Sequence, residues 1–365
     1  FRANAAFHAD ETAPATSNHI VHLVPSPDQS DILTYHKADV PEPSGPTMDL
    51  TATNIVIATG AKPHPLPGNP FAGALIDSTQ ALEVNEFPSS AVIIGAGAIA
   101  LEFASMWNAA GSKVTLLIRK DRVLSAWDRR AGTTLTRELK RHGVNIITRA
   151  SVTHVDTGAN LGATVHYTRE GQDGEQSVWG EIALVAIGRD PITDPAWGVT
   201  IDDHGHVATD AYGRTDKPGV WAVGDVTAGH ALAHRAFEQG IVIAETIAGL
   251  NPKPVDEATV PQIVFSFPEA ASVGLTVEQA QAREDLIEIK ETNYPMLANA
   301  RMLMSGTAGS LTIVSGCDAA NPDTPRVLGV HMVSQMASDI IAEAEQLVGN
   351  HVPLADAARL VHPHP

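Results

Sequence analysis

SAVIIGAGAIALEFASMWNAAGSKVTLLIRK, Ser90 to Lys120, decides the fold of this chain. The apolar run Ala91 to Ile94 ends in Gly95-Ala96-Gly97. An amphipathic stretch from Ile99 to Ala110 follows and stops at Gly111. A second apolar run, Val114 to Ile118, ends in Arg119-Lys120. The pattern predicts strand, tight glycine turn, helix and strand. Such a helix start offers free N–H groups and a positive dipole end to a pyrophosphate. Gly95 would permit the turn, and Gly97 would let the backbone approach the phosphates without a Cβ. Ala100, where a third glycine often stands, would keep helix and strand close. The stretch is read as a dinucleotide site; the alternative is an ordinary strand–helix turn containing glycines.

The end of the second run bears on which dinucleotide. An NAD site usually carries Asp or Glu there, accepting from the ribose 2′-hydroxyl. Here the position is Ile118, followed by Arg119, Lys120 and Arg122. No carboxylate opposes a 2′-phosphate, and three cations are available to pair with it. The residues favour NADPH over NADH, against the alternative of a solvated basic turn.

The chain has 365 residues, 24 Lys+Arg and 42 Asp+Glu, a net charge of -18. That length predicts two or three domains. The acidic balance argues against nucleic acid or an anionic membrane as partner, and no apolar run approaches the roughly 20 residues of a membrane helix. The N-terminus has no signal pattern and Cys317 is the single cysteine, so a cytoplasmic setting without internal disulfides is expected. No metal site is expected.

Around the opening stretch, residues 91–148 read as β-α-β-α-β, with the second helix near Arg129 to Arg141. Val152 to Trp179 alternates as a small antiparallel meander. Short strands are expected at Ile20–Val24, 54–58, 182–187 and 220–223, and a helix at 231–248. Pro41 to Pro46 reads as a loop. The last third predicts one antiparallel sheet of four strands, at 263–267, 287–291, 309–314 and 327–333, with helices near 277–283, 338–348 and 354–360. Cys317 falls in GCDAANPD, read as a turn between two of those strands.

TNIVIATGA (53–61), VIIGAGAIALE (92–102), LVAIGRDP (184–191), TDKPGVWAVGDV (215–226), LAHRAFEQG (232–240) and VHPHP (361–365) stand in one order. In that order they resemble the class I pyridine nucleotide–disulfide oxidoreductases, over essentially the whole chain. The last third is most similar to the dihydrolipoamide dehydrogenases, and residues 111–128 to the NADPH-using glutathione and mycothiol-type reductases. The resemblance implies an α/β fold of FAD/NAD(P)-binding Rossmann-like domains plus a C-terminal α+β dimerisation domain. It implies FAD-domain segments at 1–80 and 191–252, an NAD(P) domain at 81–190 and the dimerisation domain at 253–365.

It further implies FAD and NADP or NAD as cofactors, a homodimer, and a small disulfide or lipoyl-bearing substrate. Thr59, Gly60, Gly224, Asp225 and Gly188 are assigned to cofactor binding, Asp225 as acceptor for the ribityl hydroxyls; the alternative for Asp225 is a helix-capping turn residue. Leu232, Ala233 and His234 open a helix aimed at the flavin pyrimidine. Glu102 is implied at the nicotinamide–flavin junction, paired with a lysine of the N-terminal region, against the alternative of a solvated helix residue. His364 is implied as the base for the substrate dithiol, with His362 the neighbouring alternative. The family's first glycine fingerprint, its Cys-x4-Cys pair and a glutamate after the final His-Pro are not in this sequence. The chain is therefore expected to resemble a family member lacking about its first hundred residues and a short tail, to bind flavin weakly and to be inactive towards dithiols. A noncatalytic nucleotide-binding protein is the further alternative.

Overall fold

The computed structural model describes residues 3–7, 19–25, 48–158, 162–362 and 364. The Pro41–Pro46 loop expectation lies outside them. The chain divides into two compact units, Phe1–Lys62 with Asp190–Glu257, and Pro63–Arg189 with Ala258–Pro365.

In the second unit the opening stretch builds the centre of a five-stranded parallel sheet. Its order is Leu75–Ile76, Ile182–Val185, Ser90–Ile94, Lys113–Ile118, Asn145–Thr148. A parallel sheet is covered on both faces, so its strands read as continuous apolar runs. Alternate residues serve opposite layers. Ile93, Leu116, Ile146 and Leu184 pack with Leu101, Ala104 and Trp107 of the helix Ala98–Ala109 and Leu135 and Leu139 of the helix Arg129–Arg141. Val92, Ile94, Leu117 and Val185 face the other way, onto Ala163, Val165 and Tyr167 of the antiparallel meander Ala150–Asp156, Ala163–Arg169, Gln176–Gly180.

The remainder of this unit is a five-stranded antiparallel sheet, in the order Gln262–Val264, Glu269–Gly274, Asn321–Ser334, Ser310–Asp318, Leu286–Pro295. The helix Ala337–Gly349 packs Ile341, Ala344 and Val348 on it. Two expectations are corrected here. The sheet has five strands, not four: Glu269–Gly274 was not foreseen, because its Ala270 and Ala271 lack the bulk that marks a strand in sequence, yet both are fully buried between neighbours. Cys317 is not in a turn. It lies buried inside the strand Ser310–Asp318, opposite Ile287.

The same unit carries a buried charge. Glu138, 1% exposed, accepts from Arg141 at Nε (3.1 Å) and Nη2 (2.6 Å) and from the Ala308 backbone N–H at 3.0 Å. Burial raises its pKa, but the Ala308 N–H and Arg141 outweigh it and hold the carboxyl below its usual range.

In the first unit, Ala3–Phe7, His19–Pro25 and Met48–Ala52 form an antiparallel sheet. Ile55–Ile57 pairs in parallel with Val220–Ala222. Ile57, Val220 and Ala222 pack with Trp197, Val207 and Val226. The helix Ala233–Ile247 follows. Among the described residues no helix is long and apolar enough to cross a membrane.

Candidate functional site

The strand order of the parallel sheet reverses beside Ser90–Ile94: the chain proceeds to Lys113–Ile118 on one side, while Ile182–Val185 lies on the other. In open parallel sheets, the crevice at the carboxyl ends of the strands at such a reversal is where ligands bind. The Gly95-Ala96-Gly97 turn leaves one of these two strands and Ala186 to Gly188 leaves the other. Ala186 N–H donates to Ile94 O at 2.8 Å, and Gly95 N–H to Leu117 O at 3.1 Å. Gly95 has φ +142, and a Cβ on it would run into the Ala186 carbonyl. A Cβ on Gly97 would meet nothing within 4 Å. Gly97 is the N-cap of the helix Ala98–Ala109, and no side chain caps that helix. Its first N–H groups therefore have no side-chain acceptor at a positive dipole end, which suits a diphosphate. Ala100 is fully buried under the turn. Gly188, at φ +148, also borders open space.

Arg119 and Lys120 follow the strand Lys113–Ile118 and are exposed. Arg122 does not join them as a free cation. It folds back to Asp121 (3.2 Å) and donates to Ser125 O at 3.1 Å, with its Nε buried. Two cations, not three, are left for a phosphate. Sequence missed Leu124, which holds a left-handed φ of 48 while its N–H donates to Ala96 O at 2.9 Å. That bond ties the basic turn to the glycine turn.

Glu102 stands on the second turn of the same helix, half-buried. Its Oε1 accepts from the Phe265 N–H at 3.0 Å, and Ser105 Oγ, one turn on, accepts from the Phe267 N–H at 2.9 Å. Glu102 is thus a bonded residue and not a merely solvated one.

In the first unit a second cluster forms. The Gly224–Val226 turn carries Asp225, half-buried, and no described residue hydrogen-bonds its carboxylate. Gln239, unforeseen from sequence, accepts from Gly224 N–H at 2.9 Å and fixes the turn to the helix Ala233–Ile247. Arg235, 3% exposed, pairs with Glu257 and donates to Ala228 O. Leu232 is the N-cap of this helix and again no side chain caps it. His234 lies exposed in its first turn. Thr59 Oγ1 donates to Ile192 O at 2.6 Å, and Ile192 N–H to Gly60 O at 2.9 Å, fixing that strand end. An acceptor-only carboxylate without a donor among the described residues, in a unit with an uncapped helix start, fits a hydroxylated, anionic cofactor chain.

Near the C-terminus, His362 Nε2 meets Glu343 Oε1 at 2.7 Å and its Nδ1 lies 3.1 Å from Leu360 O. The Glu343 hydrogen bond and charge raise its pKa. His364 is exposed.

Two family models match. Residues 18–240 match the pyridine nucleotide-disulphide oxidoreductase model, and residues 260–365 match the dimerisation domain of the same oxidoreductases.

The chain belongs to the pyridine nucleotide–disulphide oxidoreductase family.

Within this family it is similar to a dihydrolipoyl dehydrogenase of Cupriavidus necator, 37% identical over 322 residues, 87% of this chain and 66% of that protein. A dihydrolipoyl dehydrogenase of Geobacillus stearothermophilus is 34% identical over 320 residues, 86% of this chain and 66% of its own length. Among solved structures, LpdA of Mycobacterium tuberculosis superposes with a TM-score of 0.80 at 25% identity, covering 99% of this chain and 73% of that one. The HOCl-induced flavoprotein disulfide reductase RclA of Escherichia coli gives 0.75 at 26% identity, covering 87% and 72%. The chain spans about two thirds of the length of the curated relatives it matches. The family resemblance read from the six segments is thereby established.

Proposed function

We propose that this chain serves an FAD-dependent, NAD(P)H-linked disulfide oxidoreductase of the dihydrolipoyl dehydrogenase type. The observation that carries the reading is the uncapped helix start at Gly97, beside a turn only Gly95 admits, in a chain 37% identical to a dihydrolipoyl dehydrogenase. The two cofactors together supply hydride transfer from a nicotinamide and its coupling to disulfide reduction.

Gly95, Gly97, Ala100 and Gly188 would hold the nicotinamide dinucleotide, its diphosphate on the Ala98–Ala109 helix start. Thr59, Gly60, Gly224 and Asp225 would hold FAD, with Asp225 accepting from ribityl hydroxyls. Leu232, Ala233 and His234 would present N–H groups where the flavin gathers negative charge. Glu102 would order the nicotinamide end. His364 would accept a thiol proton, and His362, already paired with Glu343, is the alternative base. Residues 1–80 and 191–252 would form the FAD domain, 81–190 the NAD(P) domain and 253–365 the interface of a homodimer.

A second reading, an NADPH-dependent reductase of a low-molecular-weight disulfide, is supported by Arg119 and Lys120, exposed directly after Ile118, which stands where an NAD site usually carries a carboxylate. Titrating the protein with NADPH and with NADH, before and after Arg119→Ala, separates the two. A preference for NADPH that falls about tenfold in the variant, with NADH unchanged, favours the second. Equal affinities that the substitution leaves alone favour the first, and binding of neither coenzyme to folded protein overturns both.

A further inference from the structure

On the outer face of the antiparallel meander four side chains converge that the oxidoreductase reading does not use. His154 of the strand Ala150–Asp156 is the direct cross-strand partner of His166 in Ala163–Arg169. Their rings stack with centroids 4.1 Å apart and planes 8° from parallel. Asp156 follows His154 by two residues and so shares its face. Val165, beside His166, points the other way and is fully buried against the parallel sheet.

The two carboxylates are sorted by ring atom. Asp156 stands on the Nε2 side of both imidazoles: its Oδ2 is 3.1 Å from His166 Nε2 and 3.9 Å from His154 Nε2. Glu175 stands on the Nδ1 side of both, with Oε1 3.8 Å from His154 Nδ1 and Oε2 3.6 Å from His166 Nδ1. Thr153, next to a break in the strand register, donates to Glu175 Oε1 at 2.7 Å and holds it there.

We propose that His154 Nε2, His166 Nε2 and Asp156 Oδ2 form a zinc(II) site, with water in the fourth position and Glu175 as a positioning residue behind both rings. The donor atoms of the three ligands lie within 4.8 Å of one another. A tetrahedral zinc with bonds of about 2.0–2.1 Å sets its ligand atoms about 3.4 Å apart. The Asp156–His166 separation, a hydrogen bond without metal, already falls below that; zinc would displace the Nε2 proton to solvent, and the rings would turn out of their stack to bring both Nε2 lone pairs to one point. Zinc-bound histidines commonly give their other N–H to a carboxylate, which fixes the ring and raises its basicity. Glu175 lies 3.6 and 3.8 Å from the two Nδ1 atoms, beyond hydrogen-bond length, and would close on them when the rings turn; without metal, His154 Nδ1 lies 3.3 Å from Thr153 Oγ1. Zinc lacks the geometric preference of copper(II) or nickel(II), so a mixed, partly exposed set of this kind suits it. The bound ion would tie the first two strands of the meander across their solvent face.

The test is titration of the tag-free protein with Zn(II) against a competing chromophoric chelator at pH 7.5. The wild type, His154→Ala, His166→Ala and Glu175→Gln are compared, with a His362→Ala/His364→Ala protein as control for the histidine tail. Far-UV circular dichroism reports folding, and Asp156→Asn replaces any histidine variant that fails to fold. The expected result is one strong equivalent in the wild type and in the tail variant. It should weaken at least tenfold in each ligand variant and about tenfold in Glu175→Gln. Zn(II) should also raise the melting temperature of the wild type and not of His166→Ala. Equal zinc affinity in wild type and folded ligand variants overturns the proposal, as does a strong equivalent that disappears with the tail histidines.

Discussion

Gly95 and Ala186 pack backbone against backbone where the parallel sheet reverses: a Cβ on Gly95 would occupy the space of the Ala186 carbonyl. Gly97, two residues on, has open space where its Cβ would be. One glycine is therefore required by the fold, and the other by whatever approaches the helix.

The two substitutions should separate. Gly95→Ala forces a φ of +142 on an L-residue and displaces a carbonyl between two buried strands, costing about 2–4 kcal/mol. Gly97→Ala should cost under about 1 kcal/mol of stability, yet weaken dinucleotide binding at least tenfold by standing over the N–H groups. Urea unfolding and coenzyme titration of both variants check this. Equal stability loss in the two would refute the division of roles.

Glu138 joins the Arg129–Arg141 helix to the chain at Ala308. Its carboxyl is held below the ordinary 4.5. A depressed carboxylate pKa stabilises the folded state above the unfolded value, and that stability is lost as pH falls through the folded one. Glu138→Gln leaves the Ala308 N–H and Arg141 with a weaker acceptor, while half-exposed Arg141 can turn to water. The expected loss at pH 7 is about 1–3 kcal/mol. The variant's melting temperature should also depend less on pH below about 4.5. An unchanged acid limb would show that Glu138 does not govern it.

Two histidines should titrate with opposite signs. His331 is buried in the strand Asn321–Ser334, its Nδ1 2.7 Å from Ser272 Oγ and its Nε2 3.1 Å from Leu275 O. Burial lowers its pKa from 6.5. Its neutral form is what the fold accepts, so stability is full above about pH 6.5 and falls as the unfolded chain gains a proton below it. His362 is raised by Glu343, so its smaller contribution is present below 6.5 and lost as pH rises through the folded value. NMR titration of the ring protons reads both. Glu343→Gln should return His362 to the ordinary range and leave His331 untouched; coincident midpoints in the wild type would contradict the assignment.

These residues also mark what sequence could and could not show. The helix Arg129–Arg141 was legible to the residue, because Asp128 caps it and Gly143 ends its reach. The parallel strands were legible because burial on both faces leaves an unbroken apolar run. The turn assigned to Cys317 came from GCDAANPD, whose Asn321-Pro322-Asp323 opens a loop-like run that extends to Pro325. That segment is the exposed half of a 14-residue strand whose two prolines give no N–H, so its register to Ser310–Asp318 is broken, while Arg326 ties back to Asp318 at 2.7 Å. The helix Ala300–Ser305 was invisible at six residues, and rests on Asn299 accepting from the Met302 N–H. At the site the glycines were legible and the partners were not. Nothing in composition tells that Arg122 folds onto Asp121 and Ser125, or that Gln239 holds Gly224, since both depend on contacts made after folding.

Hydrogen–deuterium exchange of the 365-residue protein with and without NADPH tests the dinucleotide site directly. Slowed exchange is expected only in peptides spanning residues 95–103, 119–124 and 186–188. Protection that leaves residues 95–103 unchanged while NADPH is bound would contradict it.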